Sequence, residues 1–164
     1  MKTQISVEHV TIETQRSFED VVKAFESQVG SLEVQGWHGV EEATDRNSFE
    51  KSLTNFLGPS GFTRFLTVDH GRWMALFGKP CKFMMYTIGN PLIAFTMTKH
   101  EIEAGLDVPV RVAIYEHETG ETRFVYNTPS SLMSSLKNKD AQYAAIALDN
   151  KLEELAESVT GVRA

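Results

Sequence analysis

The chain has 164 residues, 41% of them hydrophobic and 23% charged, a composition that suits one domain with its own core and excludes a disordered polymer. Sixteen Lys and Arg stand against 22 Asp and Glu, a net charge of -6, and the densest basic run, Lys137 to Lys139, is closed by Asp140. That balance argues against a nucleic-acid partner, which a basic face draws in.

No stretch approaches the ~20 apolar residues needed to cross a bilayer, and MKTQISVEHV lacks an apolar h-region with a cleavage site. Cys81 is the only cysteine, so an intramolecular disulfide and a multi-cysteine metal site are both excluded. The expectation is a cytoplasmic protein with no membrane partner.

Residues 5–12 read as a first strand, with Ile5, Val7, Val10 and Ile12 changing parity near Glu8 and His9. Ser17 caps a helix whose stripe is Phe18, Val21, Val22, Phe25 and Val29, with Gly30 as its stop. A link containing Gly36, Trp37 and Gly39 leads to a shorter helix over 49–57, ended by Gly58-Pro59. Residues 62–68 and 73–77 read as two strands joined at Asp69-His70-Gly71-Arg72, a predicted hairpin, and residues 82–88 as a third.

Asn90 and Pro91 are N-cap and first-turn residues for a helix over 91–100. Val108, Val110, Val112 and Ile114 alternate with more polar neighbours in a half-buried strand, which Glu118-Thr119-Gly120-Glu121 turns back into residues 122–127. The last helix covers 140–158, with a stripe of Ala141, Ala144, Ala145, Leu148, Leu152, Leu155 and Val159. The order predicts an α+β fold: two β-α-β-β units forming a curved, largely antiparallel sheet, with helices on one face and a C-terminal helix. The other sheet face then needs a dimer partner, loops or a ligand to cover it.

Gly89-Asn90-Pro91 joins a strand to a helix start, where free N–H groups can hold a polar group; the same tripeptide is also ordinary turn-and-cap chemistry. It lacks GxGxxG and GxxxxGK[ST], so no nucleotide fingerprint is present. His9, His38, His70, His100 and His117 form no HExxH, and their spacings support neither a metal nor a cofactor. His70 in its tight turn and His117 between Glu116 and Glu118 are candidate acid–base residues, and equally well solvated surface residues. Cys81 beside Lys82 is a candidate nucleophile with no histidine assignable to it, against the plainer reading of an inert thiol.

Trp73, Tyr86, Phe95 and Tyr126, with Met74, Met84, Met85 and Met97, either fill the core or line an apolar pocket. Arg111 has the opposite parity to the Val108–Ile114 apolar line, so its guanidinium can meet an anionic group on the uncovered face.

Thr87-Ile88-Gly89-Asn90-Pro91, then Leu106-Asp107-Val108-Pro109-Val110-Arg111-Val112-Ala113-Ile114-Tyr115-Glu116, and then Gly120, Tyr126 and Pro129 resemble domain-of-unknown-function family 302. The likeness is concentrated in residues 65–132 of a single domain spanning 1–164. It implies a compact α+β domain, commonly homodimeric, and carries no activity with it. Two departures stand out: Leu92-Ile93-Ala94-Phe95 replaces the family's Lys-x-Gly-Thr-type entry to the helix, and Arg111 replaces an aliphatic residue.

Three functions follow as expectations. The first is a domain binding a small, mostly apolar molecule, with Trp73, Tyr86, Phe95 and Tyr126 as walls and Arg111, Gly89 and Asn90 as polar ends. The second is a small hydrolase or isomerase using His70 or His117. The third is a homodimeric interaction module without a ligand.

Overall fold

The computed structural model describes residues 1–32 and 38–164. The Gly36 and Trp37 link and the side chain of His38 lie outside the described residues. In chain order the elements are β1 (His9–Thr14), α1 (Phe18–Gln28), β2 (Gly30–Ser31), α2 (His38–Glu41), α3 (Arg46–Thr54), β3 (Thr63–Asp69) and α4 (His70–Leu76). They continue with β4 (Phe83–Gly89), α5 (Pro91–Thr98), a 3-10 turn (Ile102–Leu106), β5 (Val110–Glu116), β6 (Thr122–Asn127), α6 (Pro129–Leu132) and α7 (Lys139–Thr160). One six-stranded sheet results, in the order β1-β6-β5-β4-β3-β2, antiparallel throughout except where β2 joins β3.

This is a mixed α+β fold with a largely antiparallel sheet flanked by helices. The two β-α-β-β units are β1-α1-β3-β4 and β4-α5-β5-β6, with β4 common to both. The predicted strand over 73–77 is instead α4. Asp69 ends β3 and its side chain accepts the Arg72 N–H at 2.8 Å, starting a helix where a hairpin was expected. Gly71 lets that helix press on the chain ahead of β4, since a Cβ there would lie 2.3 Å from the Cys81 carbonyl oxygen.

β1 begins at His9 rather than at residue 5, because β6 offers a ladder only from Asn127 to Thr122. Ile5 and Val7 are consequently exposed. α1 starts at Ser17, whose hydroxyl accepts the Asp20 N–H at 3.1 Å. α7 ends at Gly161, whose φ of 73° is the left-handed cap conformation.

Alternation sorts the strands into two faces. Ile12 of β1, Tyr86 and Ile88 of β4, Val110, Val112 and Ile114 of β5, and Phe124 and Tyr126 of β6 are buried beneath the helices. Phe25 of α1 anchors this core, its ring centroid 4.6 Å from Tyr86 and 5.9 Å from Phe124. Ala141, Ala145, Leu148, Leu152, Leu155 and Val159 of α7 are buried against the same core. The opposite face carries cross-strand rows, among them Val68, Met85, Ala113, Val125 and Thr11, then Phe83, Tyr115, Arg123 and Glu13. Short α4 lies on that side, with the His70 ring 4.7 Å from that of Phe83.

Candidate functional site

β4 delivers its last residue, Gly89, to the helix start at Asn90. The Asn90 side chain accepts the Leu92 N–H at 2.9 Å and donates to the Gly61 carbonyl at 2.9 Å, pinning α5 to the turn before β3. Val108 and Pro109 then bring the chain back beside Gly89. A Cβ on Gly89 would sit 3.1 Å from Pro109 Cβ and 3.2 Å from Phe65 Cε2, so only a hydrogen fits easily here.

Beneath α5 this leaves an apolar cavity of about 220 Å3, lined by Phe62, Phe65, Ile93, Ala94, Pro109 and Leu148 among others. Gly89 and Asn90, singled out from the sequence, border it. Both ends of the Asn90 amide are engaged within the protein, so its side chain serves the architecture.

The aromatic residues read as walls lie elsewhere. Tyr86 and Tyr126 face the helices and are buried, and the Tyr86 hydroxyl donates to Glu26 Oε1 at 3.1 Å. Trp73 is 47% exposed on α4, and Phe95, 57% exposed, points away from the sheet on α5. None of the four lines the cavity, because strand parity sends two into the core and α4 carries Trp73 to the other face. Ile93 and Ala94 belong to the apolar helix entry that the sequence already sets apart, whereas Phe65 and Pro109 were not among its candidate wall residues. The signal available was the pairing of GNP with VPV, two segments that adjacent antiparallel strands bring together.

Arg111 is exposed and borders a second, more polar cavity of about 250 Å3 with Asp107, Asn127 and Leu132. Burial pushes the Asp107 carboxyl above the usual range, and the neighbouring Arg111 charge opposes that shift.

A third groove, of about 410 Å3, lies where α4 meets the start of β4 and the end of β5; Met74, Cys81, Phe83, Tyr115 and His117 line it. The Glu116 N–H donates to the Lys82 carbonyl at 3.1 Å, one step beyond the Phe83–Tyr115 pair. Cys81 and His117 lie just beyond the ends of this ladder, and both line the groove. Cys81 Sγ also lies 3.7 Å from Met74 Sδ.

His117 Nδ1 is 2.7 Å from Thr119 Oγ1 and 3.1 Å from Glu121 Oε1. The Thr119 hydroxyl donates to Glu121, so its oxygen is an acceptor for His117 Nδ1; in the tautomer that uses this contact Nδ1 carries the proton and Nε2 keeps its lone pair. In the other tautomer Nδ1 accepts the Thr119 N–H at 3.4 Å. The Thr119 hydroxyl foremost, then backbone, His117 and Arg123, hold the Glu121 carboxyl below its usual range. His70 has no comparable carboxylate contact: its Nδ1 accepts the Trp73 indole N–H at 3.1 Å. Among the described residues, no three His, Cys, Asp or Glu side chains form a metal-ligand group, and no helix is long and apolar enough to cross a membrane.

No curated protein matches the chain. A crystal structure of an uncharacterized conserved DUF302 protein from Bacillus stearothermophilus is similar to it, with a TM-score of 0.65 at 12% identity, covering 92% of this chain and 96% of that one. At that identity the likeness establishes the fold alone. The family model for the domain of unknown function DUF302 matches residues 38–159, wider than the 65–132 stretch in which the sequence likeness is concentrated. The chain therefore belongs to the DUF302 family.

Proposed function

We propose that the protein is a binding domain for a small, mostly apolar molecule, held beneath α5 between the Gly89-Asn90-Pro91 turn and the Val108-Pro109-Val110 segment. The observation that carries this reading is the cavity itself, about 220 Å3 and walled by Phe65, Ile93, Ala94, Pro109 and Leu148. The Leu92-Ile93-Ala94 helix entry supports it, because it supplies apolar wall where a lysine or threonine would make an anion cradle. Native mass spectrometry of freshly purified protein tests the proposal: a small molecule released on collisional activation supports it. No retained molecule, together with no saturable binding of any apolar probe, would rule it out.

A second reading, homodimerisation through the uncovered sheet face, is favoured by one specific feature. Leu76 and Phe77 are 84% and 82% exposed at the end of α4, beside half-exposed Trp73. With strands ~4.8 Å apart and same-face residues ~6.8 Å apart, five strands and three rows cover on the order of 500 Å2. A standard interface buries ~800 Å2 per partner, so the α4 side chains would have to contribute the remainder. Phe77→Glu should then shift a dimer to monomer in sedimentation velocity, and a wild-type chain that is monomeric at micromolar concentration excludes this arrangement.

A further inference from the structure

We infer that the groove beneath α4 is a site for a soft monovalent metal ion of the Cu(I) class, ligated by Cys81, Met74 and His117. The inference is independent of the apolar cavity and uses none of its residues.

Two sulfur atoms already stand at a usable separation. With metal–sulfur bonds of ~2.3 Å, the 3.7 Å between Cys81 Sγ and Met74 Sδ corresponds to a sulfur–metal–sulfur angle of about 107°. That is a trigonal or tetrahedral angle, obtained without moving either atom. The close approach of Gly71 to the Cys81 carbonyl holds α4, and Met74 with it, against this stretch of chain.

The third ligand comes from the facing strand. His117 directly follows β5 and lines the same groove as Cys81 and Met74. In the neutral tautomer whose Nδ1 proton goes to Thr119 and Glu121, Nε2 is the lone-pair donor, and metal binding selects that tautomer. A carboxylate behind one ring nitrogen is the arrangement that orients metal-bound imidazoles.

Charge and softness select the ion. On binding, the thiol proton leaves to solvent, and one thiolate, one thioether and one neutral imidazole sum to a single negative charge. A monovalent ion is neutralised by that set, and the other charged side chains lining the groove, Lys79 and Lys82 against Glu116 and Glu118, balance one another. A thioether favours Cu(I) over zinc or harder cations. Glu116 also lines the groove, but its carboxylate is engaged by Lys82 at 3.0 Å.

The test is anaerobic titration of the full chain with Cu(I) against a colorimetric Cu(I) chelator, repeated with redox-inert Ag(I). One ion per chain is expected. Glu121→Gln should weaken binding roughly ten- to hundred-fold, Met74→Leu and His117→Gln at least as much, and Cys81→Ser should abolish it. Ala94→Phe, in the other cavity, should leave it unchanged. X-ray absorption of the wild-type complex should show two sulfur and one nitrogen ligand, a readout that stands even if a variant fails to fold. Equal affinity in wild type and Cys81→Ser overturns the inference. So does a single-sulfur spectrum, or indifference to both Met74→Leu and His117→Gln, either of which would reduce the site to an isolated thiol.

Discussion

Ala94→Phe is the sharpest probe of the apolar cavity. Ala94 is half-buried on α5 and lines the cavity, so a phenyl ring at this position can enter it without displacing a buried core residue. Taken as a sphere, 220 Å3 has a surface of about 175 Å2, and at ~25 cal/mol per Å2 its apolar contact is worth about 4.4 kcal/mol gross. That corresponds to a Kd near ~0.6 mM before the costs of association, so the walls alone bind no tighter than about a millimolar. An uncharged probe such as indole should therefore titrate in this range when the amides of Gly89 and Val110 are followed by 1H–15N NMR. In Ala94→Phe the saturable component should vanish while the spectrum stays dispersed. Equal saturation in both proteins, or shifts confined to residues remote from Gly89 and Val110, would show that the cavity is not the binding site. A ligand that co-purifies must hold more than apolar contacts; Lys151, whose Nζ lies 5.8 Å from the ring centroid of Phe62, and Arg111 and Asp107, which line the neighbouring cavity with Pro109 and Val110, are the charged side chains at hand.

Three further outcomes test the fold that carries these sites. Phe25→Ala removes the ring packed between Tyr86 and Phe124 and should cost about 3–5 kcal/mol in urea denaturation. Ser17→Ala deletes the hydroxyl cap of α1 and should cost about 1 kcal/mol by the same measurement. Burial first, then the nearby Glu153, Asp149 and Glu8 carboxylates, push the Tyr126 phenol up from 10.0 to about 12. The folded chain thus holds that proton more tightly than the unfolded one. Its contribution is complete below pH 10 and is lost as pH rises through about 12. Tyr126→Phe should flatten this segment of the stability profile, and an unchanged slope there would contradict the assignment.

One-sided burial made much of the architecture legible. The stripes of α1 and α7 and the alternation of β5 and β6 are periodic because one face of each meets the core and the other meets water. The run from Trp73 to Phe77 is apolar at every position and so carries no period. What decides it is the Asp69 side chain capping the Arg72 N–H, a signal written outside the run itself. The candidate sites were less legible because they depend on register. Gly89 meets Pro109, and Cys81 shares a groove with His117, only because β4 and β5 pair, which no spacing within either segment encodes. The aromatic residues drew attention by type, yet Tyr86 and Tyr126 belong to the core by parity, and smaller residues such as Ala94 wall the cavity.

The place of β1 has a consequence for how the chain is made. Among the described residues its ladder is with β6, from Thr14 opposite Thr122 to His9 opposite Asn127. The Thr14 hydroxyl donates to the Thr160 carbonyl at 2.8 Å, and the Arg16 guanidinium donates to the Val159 carbonyl. A nascent chain therefore exposes β1 until β6, about a hundred residues later, has left the ribosome. Contacts of such long sequence separation slow folding. Closure of the sheet at β1 is thus expected to be a late step of folding, and the unpaired β1 and β6 edges are the surfaces for a chaperone to shield until then.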